Sequence, residues 1–319
     1  MNLGGTVHVT KKGLFVLFAL CLVVFYYFFS NRIGTKEDAR INLRRLLAVA
    51  IRAAESGGKE VVGHKDNLLI QSKGKTKEGA NDSVTNADLR SHCVMVDSLS
   101  RPFPDLRVIS EESKTVCSES GDYSSAVLDS GLRDEWVDVG DVTVWIDPLD
   151  ATQEYTEKLY EYVTTMVCVA VKGEPIIGVI HKPFVSKTFW AWKGKGYSFE
   201  NTLKESGEQL RFIVSRSHSG KVAELVKQKF SDRKFEIISA GGAGYKVLEL
   251  VNGNADMYLH VTAIKKWDIC AGNAILNALG GRMVTMDKNA IGYADPDHVL
   301  NENGLIATLK ENEALSDKL

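Results

Sequence analysis

Asp147 and Asp150 stand on one short turn in Trp145-Ile-Asp-Pro-Leu-Asp-Ala-Thr-Gln-Glu-Tyr155. An apolar strand, Val142 to Ile146, runs into Asp147-Pro148, where proline cannot continue a ladder and the chain must turn. The turn presents both carboxylates at the strand end, with the Leu149 carbonyl between them. Thr152 follows where a helix would start. Hard oxygen donors grouped in this way suit a cation such as Mg2+. A solvated Asp turn with Thr152 as an N-cap would use the same residues.

Three further acidic segments point the same way. Leu106 to Ile109 reads as a strand, and Ser110-Glu-Glu-Ser113 leaves its end. Asp268 opens a helix whose apolar positions Ile269, Ala271, Ile275 and Leu276 face inward. Asp88, in Asp82-Ser-Val-Thr-Asn-Ala-Asp88, lies where another helix begins. Taken singly, these are also an acidic loop, an N-cap and a first-turn Asp favoured by the helix dipole.

Taken together, Asp88, Glu111-Glu112, Asp147-Pro-Leu-Asp-Ala-Thr152 and Trp267-Asp268 resemble the signature of the metal-dependent, lithium-sensitive phosphatase superfamily. That group includes inositol monophosphatase, fructose 1,6-bisphosphatase and 3′(2′),5′-bisphosphate nucleotidase, and the likeness runs from about residue 40 to the end. Ile213 to Ser219, Ala240-Gly-Gly-Ala-Gly-Tyr-Lys246 and Ile264-Lys-Lys-Trp267 resemble the bisphosphate nucleotidase branch. The N-terminal apolar segment, Trp145 to Glu157 and Val163 to Val171 resemble its membrane-anchored Golgi members.

The resemblance implies a layered α-β-α-β-α sandwich with the site between two subdomains, and two Mg2+ ions with room for a third. Glu111, Asp147 and the Leu149 carbonyl would hold the first ion. Asp147, Asp150 and Asp268 would hold the second. Asp88, hydrogen-bonded to Thr152, would sit beside the attacking water, and Glu112 would lie behind the ligands. The helix start at Ala151-Thr152 would offer N–H groups to phosphate. The family often has Gly at 151, so Ala151 is tolerated there unless φ is positive. Ser215 and His218 would lie near the nucleotide, Gly242 would let backbone approach it, and Lys246 would offer a cation to a 5′-phosphate. Gly241 to Gly244 also suits a plain strand-to-helix turn, Lys246 a solvated helix position, and His218 a helix cap.

The reaction so implied is hydrolysis of the 3′-phosphate of 3′-phosphoadenosine 5′-phosphate, giving AMP and phosphate. The rivals are an inositol phosphate phosphatase, against which the glycine-rich Lys246 segment argues, and a membrane-tethered binding protein without catalysis. The family is often dimeric.

Composition sets the frame. The chain has 319 residues, a formal net charge of −2 and 44% hydrophobic residues. That charge gives no reason to expect a nucleic acid polymer as partner. Gly13 to Ser30 carries no charge and would span about 27 Å as a helix, close to a bilayer core of roughly 30 Å. Its bulky Phe28-Phe29 end lacks the small residues of a signal cleavage site, so a retained anchor is expected. Lys11 and Lys12 precede it and Arg32, Lys36 and Arg40 follow, which nearly ties the positive-inside rule. The resemblance implies type II topology with a luminal catalytic domain, where the sequon Asn81-Asp-Ser83 is usable.

The expected organisation is a tail (1–12), an anchor (13–30), a linker (31–38), an α+β metal-binding subdomain (39–207) and an α/β subdomain (208–319). Gly57-Gly58 is expected to end the first helix. Gln71 to Ala80 reads as a basic, glycine-bearing loop, either a mobile loop over the site or a plain solvated one. Cys93, Cys168 and Cys270 fall on apolar faces, the usual place for buried free thiols, and Cys117 falls in a polar loop. No disulfide framework follows from the spacing.

Overall fold

A computed structural model describes residues 13, 18–26, 39–75, 81–117, 131–199, 208–216 and 221–319. The chain divides into two compact units, Met1–Arg40 and Ile41–Leu319. In the first, residues 18–26 are helical and their side chains exposed. Much of the expected anchor lies outside the described residues, and among those described no helix is long and apolar enough to cross a membrane.

The second unit opens with α1 (Leu43–His64), capped by Asn42, whose side chain accepts from Arg45 N at 3.1 Å. The helix runs straight through Gly57-Gly58, contrary to expectation. Both glycines are buried. A Cβ on Gly57 would lie 2.5 Å from Met95 Sδ, and one on Gly58 2.5 Å from His181 Cδ2. Close packing, worth more than the roughly 1 kcal/mol each glycine costs a helix, decides their place. A hairpin, β1 (Ile70–Lys75) and β2 (Asn81–Thr85), stands where a loop was expected. Then come α2 (Asn86–Ser100), β3 (Arg107–Ser110), β4 (Val142–Asp150) and α3 (Thr152–Thr156). An antiparallel run follows: β5 (Thr164–Val171), β6 (Glu174–Lys182), β7 (Lys187–Trp192) and β8 (Gly196–Tyr197). The first sheet has the order β8-β7-β6-β5-β4-β3, parallel only at β3–β4.

The remaining chain alternates as expected: β9 (Gln209–Ser215), α4 (Val222–Lys229), β10 (Lys234–Ala240), α5 (Ala243–Val251), β11 (Met257–His260), α6 (Lys266–Ala278), β12 (Arg282–Val284) and β13 (Leu305–Thr308). The second sheet is ordered β10-β9-β11-β13-β12. Helices α5 and α6 lie between the sheets. Their Val247, Leu248, Ile269 and Ile275 share one core with Trp145 and Met166 of the first sheet and Ile213 and Tyr258 of the second. On the outer faces, α1 and α2 cover the first sheet through Leu47, Ala50 and Met95, and α4 covers the second through Val222 and Val226. The result is the expected α-β-α-β-α sandwich.

The cysteine expectation is corrected. Cys93 is bonded to Cys117, and Cys168 to Cys270. The apolar faces of β5 and α6 that carry Cys168 and Cys270 face each other, a pairing that linear spacing cannot reveal. Among the described residues only Cys21 is free.

Candidate active site

The turn at Asp147 is a β-bulge. Asp147 pairs with Met166 and Asp150 with Thr164, so three steps on β4 oppose two on β5. In a regular strand, residues three apart point to opposite faces. The extra residue removes that alternation and turns both carboxylates towards the same end of the fold. Pro148, with no N–H to give, sits inside the bulge, where the ladder makes no demand on it. Leu149 N donates to Asp147 Oδ1 at 3.2 Å.

Glu111 leaves the end of β3 and Asp268 stands in the first turn of α6. One oxygen from each, together with one from Asp147, lie within 4.8 Å of one another. Such crowding is unfavourable without a cation. Burial first, then Glu111 and neighbouring aspartates, push Asp147 and Asp268 well above the usual carboxylate range. Glu111 is pushed to about 7 by burial, with Lys73 pulling down and Glu112 and Asp88 pushing up. Lys73 of the hairpin ion-pairs with Glu111 Oε1 at 3.0 Å and also with Glu112. Glu112 therefore lies beside the group, turned to this lysine. Three hard, mutually repelling carboxylate oxygens suit a hard divalent cation such as Mg2+, so the residues fit the ion.

Asp88 and Thr152 meet as the sequence suggested. Asp88 Oδ2 accepts from Thr85 N at 2.7 Å and from Thr85 Oγ1 at 2.5 Å, closing a capping box at the start of α2. Thr152 Oγ1 lies 2.9 Å from Asp88 Oδ1 and 3.1 Å from the Leu149 carbonyl oxygen. Its single proton serves one of them at a time. Burial pushes the Asp88 carboxyl up to about 6, against the pull of its Thr85 and Thr152 hydrogen bonds. Ala151, which joins the bulge to α3, has φ 71° and ψ 44°. Its methyl therefore sits in the left-handed region, the circumstance in which glycine is favoured.

The glycine-rich segment faces inward. Asp150 Oδ1 accepts from Ala243 N at 3.0 Å, and its Oδ2 from Gly244 N at 2.8 Å and Thr164 Oγ1 at 3.1 Å. A Cβ on Gly242, whose φ is +63°, would lie 2.7 Å from the Tyr162 carbonyl oxygen. Gly242 thus lets backbone close on Asp150 and its surroundings. Lys246 is 3% exposed, and its Nζ donates to Gly242 O at 2.6 Å and Ala240 O at 3.3 Å. Burial brings its pKa down to about 8, while Asp150, Glu154 and Asp268 hold it up. It is no solvated helix residue. Ser215, buried at the end of β9, precedes Arg216, whose Nη1 reaches Glu157 Oε2 at 2.8 Å and Glu154 Oε1 at 3.3 Å. His218 lies outside the described residues.

The basic segment expected over the site contributes Lys73, although its role as partner of Glu111 and Glu112 was not anticipated, nor were Thr85 and Thr164. The two threonines act only through folded geometry.

Known proteins resemble this chain along most of its length. The profile of the Inositol monophosphatase family matches residues 42–318. Inositol monophosphatase 3 of Xenopus tropicalis is 48% identical over 307 residues, covering 90% of this chain and 84% of that one. The Golgi-resident adenosine 3′,5′-bisphosphate 3′-phosphatase of Bos taurus is 46% identical over 300 residues, covering 90% and 82%. The crystal structure of CysQ from Bacteroides thetaiotaomicron superposes with a TM-score of 0.62 at 22% identity, over 84% of this chain and 98% of that one, and so shares the fold. The chain belongs to the inositol monophosphatase family of phosphatases.

Proposed function

We propose that the chain is a Mg2+-dependent phosphatase that removes the 3′-phosphate of adenosine 3′,5′-bisphosphate. The observation that carries the phosphatase reading is the convergence of Glu111, Asp147 and Asp268 beside the Asp88–Thr152 pair. The nucleotide reading is supported by relatives named Golgi-resident adenosine 3′,5′-bisphosphate 3′-phosphatase, 42% identical in Rattus norvegicus and 46% in Bos taurus.

Glu111, Asp147, Asp268 and the Leu149 carbonyl would hold Mg2+, with Asp150 beside them and two ions as the working number. Bound Mg2+ supplies charge neutralisation on the phosphoryl group and at the leaving oxygen. Asp88 is the base. Its Oδ2 is occupied by Thr85, which leaves Oδ1 and the Thr152 hydroxyl to take the proton of the attacking water. Water oxygen bonds to phosphorus, the bond from phosphorus to the 3′-oxygen breaks, and a solvent proton completes the 3′-hydroxyl. Ser215, Gly242 and Lys246 are the residues we assign to the nucleotide, together with His218, which lies outside the described residues.

A luminal, Golgi-membrane setting fits two disulfides, which persist in oxidising compartments and are rare in the cytosol. Protease protection of the 41–319 unit in intact Golgi vesicles is the expected result, and digestion without detergent would contradict it. The names of the Xenopus relatives support a second reading, an inositol phosphate substrate. Comparing kcat/KM for adenosine 3′,5′-bisphosphate and inositol 1-phosphate separates the two. The nucleotide should be preferred, and preference for inositol 1-phosphate overturns the first reading.

A further inference from the structure

Three consecutive residues of α2 reach different parts of the site, and Asp88 stands in the first turn of the same helix. Ser91 Oγ donates to the Pro148 carbonyl at 2.6 Å, inside the β4 bulge. His92, 4% exposed, has Nδ1 2.8 Å from Oγ of Ser110, the last residue of β3 before Glu111. Cys93 is bonded to Cys117, which closes the turn after Glu112. Successive helical residues are about 100° apart, so a run of three fans over about 200° and can face two neighbours at once.

The turn after β3 needs such an anchor. Its last link to β4 is Glu111 N to Ile146 O at 3.3 Å. Beyond it the backbone is held by Ser113 N to Ser110 O and Thr115 N to Glu112 O, at 3.2 and 2.9 Å, while Lys73 pairs with the Glu111 and Glu112 side chains. Meanwhile Glu111 and Asp147 repel each other. A buried, directional contact at Ser110 resists that push, where an apolar contact would let the turn slide.

We propose that His92 and Ser110 are positioning residues for metal binding: their contact, backed by the Cys93–Cys117 bond, fixes Glu111 opposite Asp147 and Asp268. The proposal rests on the metal-site reading above. Partners behind metal ligands typically contribute 10–100-fold in affinity.

The test is calorimetric Mg2+ titration of the full chain, with melting of the metal-free protein, for wild type, Asp147→Asn, His92→Leu, His92→Asn and Ser110→Ala. His92→Leu and Ser110→Ala should each weaken Mg2+ by about tenfold or more, and the double variant should be no weaker than the worse single. His92→Asn, whose amide can replace Nδ1, should restore most of the affinity. Wild-type affinity in Ser110→Ala overturns the proposal, whatever happens to the melting temperature. Failure of His92→Asn to rescue assigns the effect to lost ring volume and overturns it too. Wild type that binds no Mg2+, or an Asp147→Asn variant that binds it normally, removes the metal site itself and the proposal with it.

Discussion

Thr152 offers one proton to two acceptors, Asp88 Oδ1 and the Leu149 carbonyl. A base that takes a proton through this hydroxyl contributes typically 10²–10⁴-fold, so Thr152→Val should lower kcat by about 10²-fold or more with little change in melting temperature. Thr152→Ser should keep most activity, and an active Thr152→Val would remove the hydroxyl from the account. One residue earlier, Ala151 holds φ 71° at a cost of about 1 kcal/mol. Ala151→Gly should therefore raise the melting temperature by about 2–4 °C. At this scale the grouping of Glu111, Asp147 and Asp268 was legible only jointly, because each carboxylate alone fits an ordinary turn, loop or cap and the resemblance joined the separated segments. The direction of Asp150 was not. It accepts from Ala243, Gly244 and Thr164, a choice made by the bulge and by the approach of α5, and neither leaves a mark in residue order. The setting of Lys246 was not legible either: a lysine on a glycine-rich turn suggests an exposed cation, and its buried Nζ donates to two carbonyls.

Among the elements, α2 and the β3–β4 pair carry most of the site, and the Cys93–Cys117 bond joins α2 to the turn after β3. With a sequence separation of 24, that bond should contribute about 3 kcal/mol by loop closure. Replacing both cysteines by alanine should lower the melting temperature by roughly 6–12 °C, whereas an unchanged melt would show that the turn is held by its other contacts. Element types and order could be read from hydrophobic periodicity, as the strand-helix alternation after residue 208 shows. Boundaries were harder. Gly57 and Gly58 looked like a helix stop and are points of close approach to Met95 and His181, a fact that belongs to packing. The disulfides were illegible for the same reason, since Cys168 and Cys270 are brought together only when β5 meets α6.

For the whole molecule, the acidic site couples stability to pH and to metal. Asp88 at about 6 and Glu111 at about 7 stand above their unfolded values. The stability this gives the metal-free protein is fully present below the unfolded carboxylate range and is lost as pH rises through about 6 to 7. Mg2+ requires Glu111 and the carboxylates grouped with it deprotonated. The rise in melting temperature on adding Mg2+ should therefore grow between about pH 5 and about pH 8, and a pH-independent rise would argue that the ion binds elsewhere. The central claim is that Glu111, Asp147 and Asp268 would hold the Mg2+ on which phosphate hydrolysis depends. It is tested most directly by phosphate release from adenosine 3′,5′-bisphosphate against Mg2+ concentration, for wild type and Asp147→Asn. Saturable Mg2+ activation of the wild type and a loss of about 10³-fold in the variant are predicted, since metal catalysis is worth several kcal/mol. Turnover that survives in Asp147→Asn, or that needs no Mg2+, would contradict the account.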